Sequence, residues 1–209
     1  MIYQLNSMNS MNSMNELFTP GSRLLISWSG GVESTSVLKY FLERTEFPIV
    51  SHFIVRISPE NRNELEQKAV QTLEPLLKRI RPFETSISYV SLDSGSALPM
   101  DYEVEIPLSL LVARHRNCSN VLRGNCLEDD KRARYSPKED FDSKVSLGQG
   151  FVFNRNIKQV IPYIHGLYDE PKRWHIRHLG DLFQHTWSCR RPVSGEECGT
   201  CHSCLERNS

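Results

Sequence analysis

Ser29-Gly30-Gly31-Val32-Glu33-Ser34-Thr35 stands between two segments of opposite habit. The run before it, Leu24-Leu25-Ile26-Ser27-Trp28, is short and apolar and reads as a strand. The run after it, Ser36-Val37-Leu38-Lys39-Tyr40-Phe41-Leu42, reads as a helix. Strand, glycine turn and helix in that order build an anion site. Two glycines let the backbone approach a ligand closely. The first free N–H groups of the helix point at whatever occupies the turn, with the positive end of the helix dipole behind them. Ser29, Ser34 and Thr35 add hydroxyl donors, which suit a phosphate. The plainer alternative is a serine-capped turn that binds nothing.

The Gly-Lys-Ser/Thr ending of a P-loop is absent, and so is G-x-G-x-x-G. The stretch resembles instead the PP-loop of the ATP pyrophosphatases, Ser-Gly-Gly-x-Asp-Ser, whose members cut ATP between its α and β phosphates. Glu33 stands where that family has Asp. The carboxylate is kept, one methylene further out.

The rest of the chain is ordinary for a soluble protein. It has 209 residues, enough for one domain with a full core and an appendage. Lys plus Arg and Asp plus Glu are 25 each, so no overall basic footprint points to nucleic acid. The longest nearly apolar run, Ile106 to Ala113, is too short to span a bilayer, and the N-terminus lacks a basic start followed by an apolar block. These features predict a cytoplasmic protein with no membrane partner, in which cysteines are reduced, metal-bound or catalytic.

Residues 1–16 carry an Asn-Ser-Met repeat and read as a disordered tail. A domain from 17 to 185 follows, and a cysteine-rich segment from 186 to 209. Ile49 to Val55 reads as a second strand and Ile87 to Leu92 as a third. Leu65, Ala69, Leu73, Leu76, Leu77 and Ile80 give residues 61–81 an apolar helical face, which Pro75 should kink or restart. Pro107 to Arg114 reads as a buried helix with Pro107 in its first turn, Asn120 to Leu122 as a fourth strand, and Val160-Ile161 as a short strand. Residues 128–150 form a long polar loop, and Asp169 to Phe183 another helix. The alternation predicts an α/β fold: a parallel sheet with helices on both faces and ligands at the carboxyl ends of its strands.

Cys189, Cys198, Cys201 and Cys204 follow the spacing C-x8-C-x2-C-x2-C. Two residues between cysteines let both thiolates reach one ion through a tight turn, and four thiolates close a tetrahedral shell around Zn2+. With no open position, such an ion is structural. An iron–sulfur cluster and a thiol-exchange pair remain alternatives for the same residues. His202 lies inside the cluster and is expected to face outward. Cys118 and Cys126 are isolated; burial is the simpler role for both, and a nucleophile the lesser one for Cys126.

Both ends together resemble one family. Thr186-Trp187-Ser188-Cys189, followed by Cys198-Gly199-x-Cys201-x-x-Cys204-x-x-Arg207, is similar to the C-terminal signature of the QueC family of 7-cyano-7-deazaguanine synthases. Gly124-x4-Asp129 resembles that family's loop after a core strand, and Ile161-Pro162, Lys172, Ile176 and Leu179-Gly180 its approach to the knuckle. The resemblance implies a Rossmann-like PP-loop fold (adenine nucleotide alpha hydrolase-like), a homodimer, and one zinc per chain. It also implies a reaction. ATP adenylates the carboxylate of 7-carboxy-7-deazaguanine, ammonia displaces AMP to give the amide, and a second ATP activates the amide so that loss of AMP leaves the nitrile. By position, Ser29, Gly30, Gly31, Val32, Glu33, Ser34 and Thr35 would hold the pyrophosphate of ATP. Glu33 would act through Mg2+ or water beside Ser29 and Ser34, and Asp129 would lie near the base or the acyl centre.

The likeness breaks where a substrate would be read. Glu105-Ile106-Pro107-Leu108 replaces the family's Pro-x-Arg-Asn segment. Arg56-Ile57-Ser58-Pro59 replaces its Tyr-Gly-Gln-like stretch, and Arg190 its Tyr after the first zinc cysteine. Two other readings therefore stand beside the synthase: adenylation of a different acceptor, on a protein or a nucleic acid, and a nucleotide-binding, zinc-stapled module without turnover. Arg114, Arg116, Arg123, Lys131, Arg132 and Arg134 are dense enough to hold an anionic partner, or form an ordinary solvated surface.

Overall fold

The structure, a computed structural model, describes residues 17–57, 62–91, 101–124, 157–160 and 172–207. The repeat tail, Leu92, Cys126, Asp129, the 128–150 loop, Ile161 and Asp169 lie outside the described residues.

Five strands form one parallel sheet: β1 (Leu24–Ser27), β2 (Ile49–Ile57), β3 (Glu84–Ser91), β4 (Asn120–Leu122) and β5 (Lys158–Val160). Their order is β3-β2-β1-β4-β5, with Leu24 opposite both Ile49 and Asn120. All four residues of β1 are buried, as a central strand covered on both faces requires.

On one face, α1 (Val32–Arg44) and α2 (Arg62–Lys78) bring Val37, Leu38, Phe41, Val70, Leu73 and Leu77 onto Leu24, Ile26, Trp28 and Phe53. On the other, α3 (Asp101–His115) sets Ile106, Leu110 and Ala113 against Leu25, Val50 and Val121. Odd and even positions of β1 thus feed two separate cores, and the expected helices on both faces are present. Phe18 is buried in the first core, so the folded part includes the chain from about Leu17 onward.

Four expected boundaries differ. Pro75 does not restart the helix: α2 runs through it, and the buried Leu73 and Leu77 on either side hold it although one N–H is missing. Pro107 is in the interior of α3, which starts at Asp101, because the core-facing Ile106, Leu110 and Ala113 outweigh one lost bond. β3 begins at Glu84 rather than Ile87, pairing from Val50 onward along β2. The single helix expected up to Phe183 is α4 (Lys172–Leu179) followed by a 3-10 turn (Gly180–His185), parted by Gly180 at φ +56°.

Candidate functional site

The turn after β1 lies at the carboxyl end of the sheet's central strand, beside the crossing point between β1 and β4 where doubly wound sheets take their ligands. Gly30 has φ +75°, a conformation side chains rarely accept, and an added Cβ would meet Val70 at 3.1 Å and Ala69 at 3.2 Å. Gly31 is the N-cap of α1, and no side chain caps it. The N-cap residue thus supplies no side-chain oxygen to the first-turn amides, of which the Glu33 N–H bonds its own carboxylate.

The serines close on one another. Ser29 and Ser34 hydroxyls lie 3.1 Å apart, the Ser29 N–H donates to Ser34 Oγ at 3.2 Å, and Ser34 Oγ donates to the Gly31 carbonyl at 3.4 Å. Ser29 is the exposed member of the turn. Thr35 and Val32 are fully buried. The Thr35 hydroxyl accepts the Trp28 indole N–H at 3.0 Å, which ties helix to strand. Val32 offers the turn its main chain only.

Gly124, just past β4, comes against the same helix end. A Cβ there would lie 2.6 Å from the Ser34 nitrogen and 2.8 Å from the Glu33 carbonyl carbon. Only glycine lets the two turns meet. Beside it, the buried Arg123 forks onto both oxygens of Glu105 in α3, at 3.1 and 3.0 Å. Arg116 pairs at the opposite end of the sheet, near Glu84, the first residue of β3. These two arginines therefore do not share a face.

Glu33 is joined to the C-terminal segment. Lys172, at the start of α4 and 7% exposed along its side chain, lies 2.9 Å from Glu33 and 3.0 Å from Glu206. Burial alone raises the Glu33 pKa. The charge and hydrogen bond of Lys172, the main-chain N–H of Glu33 itself and the charge of His175 outweigh it and hold the carboxyl below its ordinary value. Burial opposes the charge on Lys172, yet Glu33 and Glu206 hold its pKa above the ordinary lysine value.

The four cysteines converge. All four Sγ atoms lie within 4.8 Å of one another, with Cys198 to Cys204 at 3.9 Å, Cys201 to Cys189 at 4.0 Å and Cys201 to Cys204 at 3.4 Å. Thiolates about 2.3 Å from one tetrahedral ion are separated by about 3.8 Å, so the spacing fits a single ion. A four-iron cluster binds each sulfur to a different corner iron and holds them further apart. Main-chain N–H groups of Cys198 and Cys201 donate to Cys189 Sγ and Cys198 Sγ at 3.3 and 3.2 Å. The amides of Cys201 and Thr200 pull the Cys198 thiol down to about 6, whereas burial raises the thiols of Cys189 and Cys204. His202, on α5 (His202–Arg207), is exposed, pairs with Glu206 and stays out of the sulfur cage.

The knuckle lies against the turn. The Trp187 N–H donates to the Gly30 carbonyl at 2.9 Å, while its indole N–H donates to the Cys189 carbonyl at 3.1 Å. Arg207 bonds Thr186 Oγ1 and the Phe183 carbonyl and stacks over the Phe183 ring. Sequence reasoning brought Ser29, Glu33, Ser34 and the four cysteines to notice, but not the Lys172 bridge or the Trp187 contact. Lys172 had drawn attention only through a family likeness, and nothing local marks it as the partner of Glu33.

A further buried chain runs under α3. His52 on β2 has Nδ1 3.2 Å from Ser109 Oγ and Nε2 2.9 Å from Ser88 Oγ, and Ser109 Oγ is 3.0 Å from Ser27 Oγ. Burial, against a weaker opposing pull from Glu105, lowers the His52 pKa to about 4. Cys118 is buried, its thiol raised to about 11 mainly by desolvation, and so lacks the character of a nucleophile.

No family model matches the sequence, and no curated protein matches it. Among solved structures, NMN synthetase from Francisella tularensis covers 98% of this chain and 90% of its own, at 13% identity and a TM-score of 0.43. The U34-tRNA thiolase NcsA from Methanococcus maripaludis, solved with its 4Fe–4S cluster, matches at a TM-score of 0.61 and 12% identity. That match covers 99% of this chain and 69% of that one. The likeness is one of fold: the chain shares a parallel α/β architecture with the thiolase.

Proposed function

We propose that this protein is an ATP-dependent enzyme that adenylates a small carboxylate acid, with ATP's pyrophosphate seated in the Ser29–Ser34 turn. The observation that supports this best is the uncapped N-terminus of α1 above the exposed Ser29. Main-chain amides there would meet the charge that builds on the departing pyrophosphate, with Mg2+ arriving on the nucleotide. Glu33, paired with Lys172, would orient the phosphate-bound water or ion while its repulsion of the anion is reduced.

The acceptor is 7-carboxy-7-deazaguanine in the reading that the sequence resemblance favours. Its carboxylate attacks the α-phosphorus and pyrophosphate leaves. Ammonia then displaces AMP to give the amide, and a second adenylation lets the amide lose AMP and become the nitrile. Cys189, Cys198, Cys201 and Cys204 would hold one structural Zn2+, for which the sulfur spacing is the support. We propose that the chain acts as a homodimer and in the cytoplasm. Among the described residues no helix is long and apolar enough to cross a membrane.

One observation favours a different acceptor over the deazaguanine. Glu105, in the segment where the family carries Arg-Asn, is engaged by Arg123 at the mouth between β1 and β4. A protein or nucleic-acid acceptor, or a module that binds ATP without turnover, would then replace the small acid. Among the described residues sulfur transfer gains no support, since the four knuckle sulfurs are spaced to close on one ion and Cys118 is buried; Cys126 lies outside them.

The test is mass spectrometry on metal-loaded protein with ATP, Mg2+, ammonium and 7-carboxy-7-deazaguanine. AMP together with the amide or nitrile supports the synthase. AMP and adenylate only with other acceptors moves the acceptor, and bound ATP without AMP under any condition removes the enzyme. Ser34→Ala loses the hydroxyl that fixes Ser29 and Gly31, and turnover should fall by up to about 100-fold.

A further inference from the structure

We infer that the metal knuckle is a working half of the phosphate site: Lys172, gripped by Glu206 from α5, is a positioning residue for Glu33 and the first turn of α1, so nucleotide affinity depends on whether the knuckle holds its ion. The inference rests on reading the Ser29–Ser34 turn as a phosphate site.

Three features carry it. Glu33 lies in the first turn of α1, where an uncompensated carboxylate would repel an incoming phosphate; the Lys172 ammonium 2.9 Å away offsets part of that charge and fixes where the carboxylate sits. Lys172 is held from its other side by Glu206 at 3.0 Å, and Glu206 shares α5 with Cys204, which is fully buried in the sulfur cage. A six-residue helix has too few internal bonds to stand alone. Thiolate ligation through Cys204 is what would keep Glu206 facing Lys172. The Trp187 main chain makes the second link, donating to the Gly30 carbonyl while its ring donates to the Cys189 carbonyl. The knuckle thus sets two points on the turn, one by charge and one by hydrogen bond.

Hydrogen exchange on the full chain, zinc-loaded and after chelation, tests the mechanical link. Amides 30–35 should lose protection together with 189–204, while those of β2 and β3 keep theirs. Calorimetry with ATP and Mg2+ tests the consequence. Glu206→Gln, which retains all four cysteines, should bind zinc fully yet hold ATP roughly tenfold more weakly, the size typical when a partner behind a ligand is lost. Lys172→Arg, which keeps the charge, should recover most of the affinity that Lys172→Met removes. Amides 30–35 staying protected while the knuckle opens overturns the link, and so does wild-type ATP affinity in zinc-loaded Glu206→Gln. Should Glu206→Gln lose its zinc, the exchange arm decides by itself. Zinc-loaded wild type that fails to bind ATP overturns the phosphate reading beneath, and exchange still reports on the link between knuckle and turn.

Discussion

Gly124 shows how tightly single residues are constrained here. A methyl group there would stand 2.6–2.8 Å from the main chain of Glu33 and Ser34, neither of which can rotate away. Gly124→Ala should cost about 1–3 kcal/mol of stability, read from the urea midpoint, and weaken ATP binding as α1 is pushed off the turn. A midpoint within error of wild type would mean that the two turns do not meet. His52 makes the second residue-level prediction. Its folded pKa is about 4 against 6.5 in the unfolded chain, so the unfolded state takes up a proton first. The stability this contributes is full above about pH 6.5 and is lost as pH falls toward 4, up to about 3 kcal/mol. His178, also held near 4 by burial, adds to the slope, so the measurement is the difference between wild type and His52→Asn. Equal slopes in the two proteins would remove His52 from the account.

At the scale of the element, α2 and the knuckle behave oppositely. Pro75 is exposed in the interior of α2 and leaves the Gln71 carbonyl without its i+4 donor. Pro75→Ala restores that bond and a good helix former, and should stabilise the protein by about 1–3 kcal/mol in a thermal melt, less the entropy gained by the unfolded chain. The knuckle has few apolar contacts of its own, and its hairpin between Val193 and Glu196 is mostly exposed. Metal analysis should find about one zinc per chain, and chelation should release residues 189–204 from their fold. Well under one equivalent of any metal would leave the sulfur cage unexplained.

For the whole molecule, a ligand bound at the turn should couple to global stability, because Gly30, Gly124 and Trp187 join two strand ends and the knuckle at one place. Pyrophosphate at about 100 times its Kd should add about 2.7 kcal/mol, a rise of roughly 5–10 °C in Tm for a chain of this size. Ser34→Ala should shrink that rise, and no shift at any pyrophosphate concentration would rule out the phosphate site. His52→Asn provides the control, since its ring lies under α3 and outside the turn.

The strand–turn–helix at Leu24 to Arg44 was legible in the sequence because apolar period, glycine pair and serines all agree within twenty residues. So was the cysteine knuckle, whose chemistry depends on local spacing. The parallel order also followed from the alternation of strands and helices. Helix limits at Pro75 and Pro107 were misjudged because local rules count one lost bond, whereas a buried face on a long helix outweighs it. The rest depends on distance along the chain. That Lys172 pairs with Glu33, that Glu206 holds Lys172, and that Gly124 must be glycine because another helix starts against it are facts of packing. The sequence alone therefore determined the glycine–serine turn and the cysteine set, each built from neighbours. Only the tertiary structure decided that the two lie against each other, because a buried charge must find its partner wherever the fold brings one.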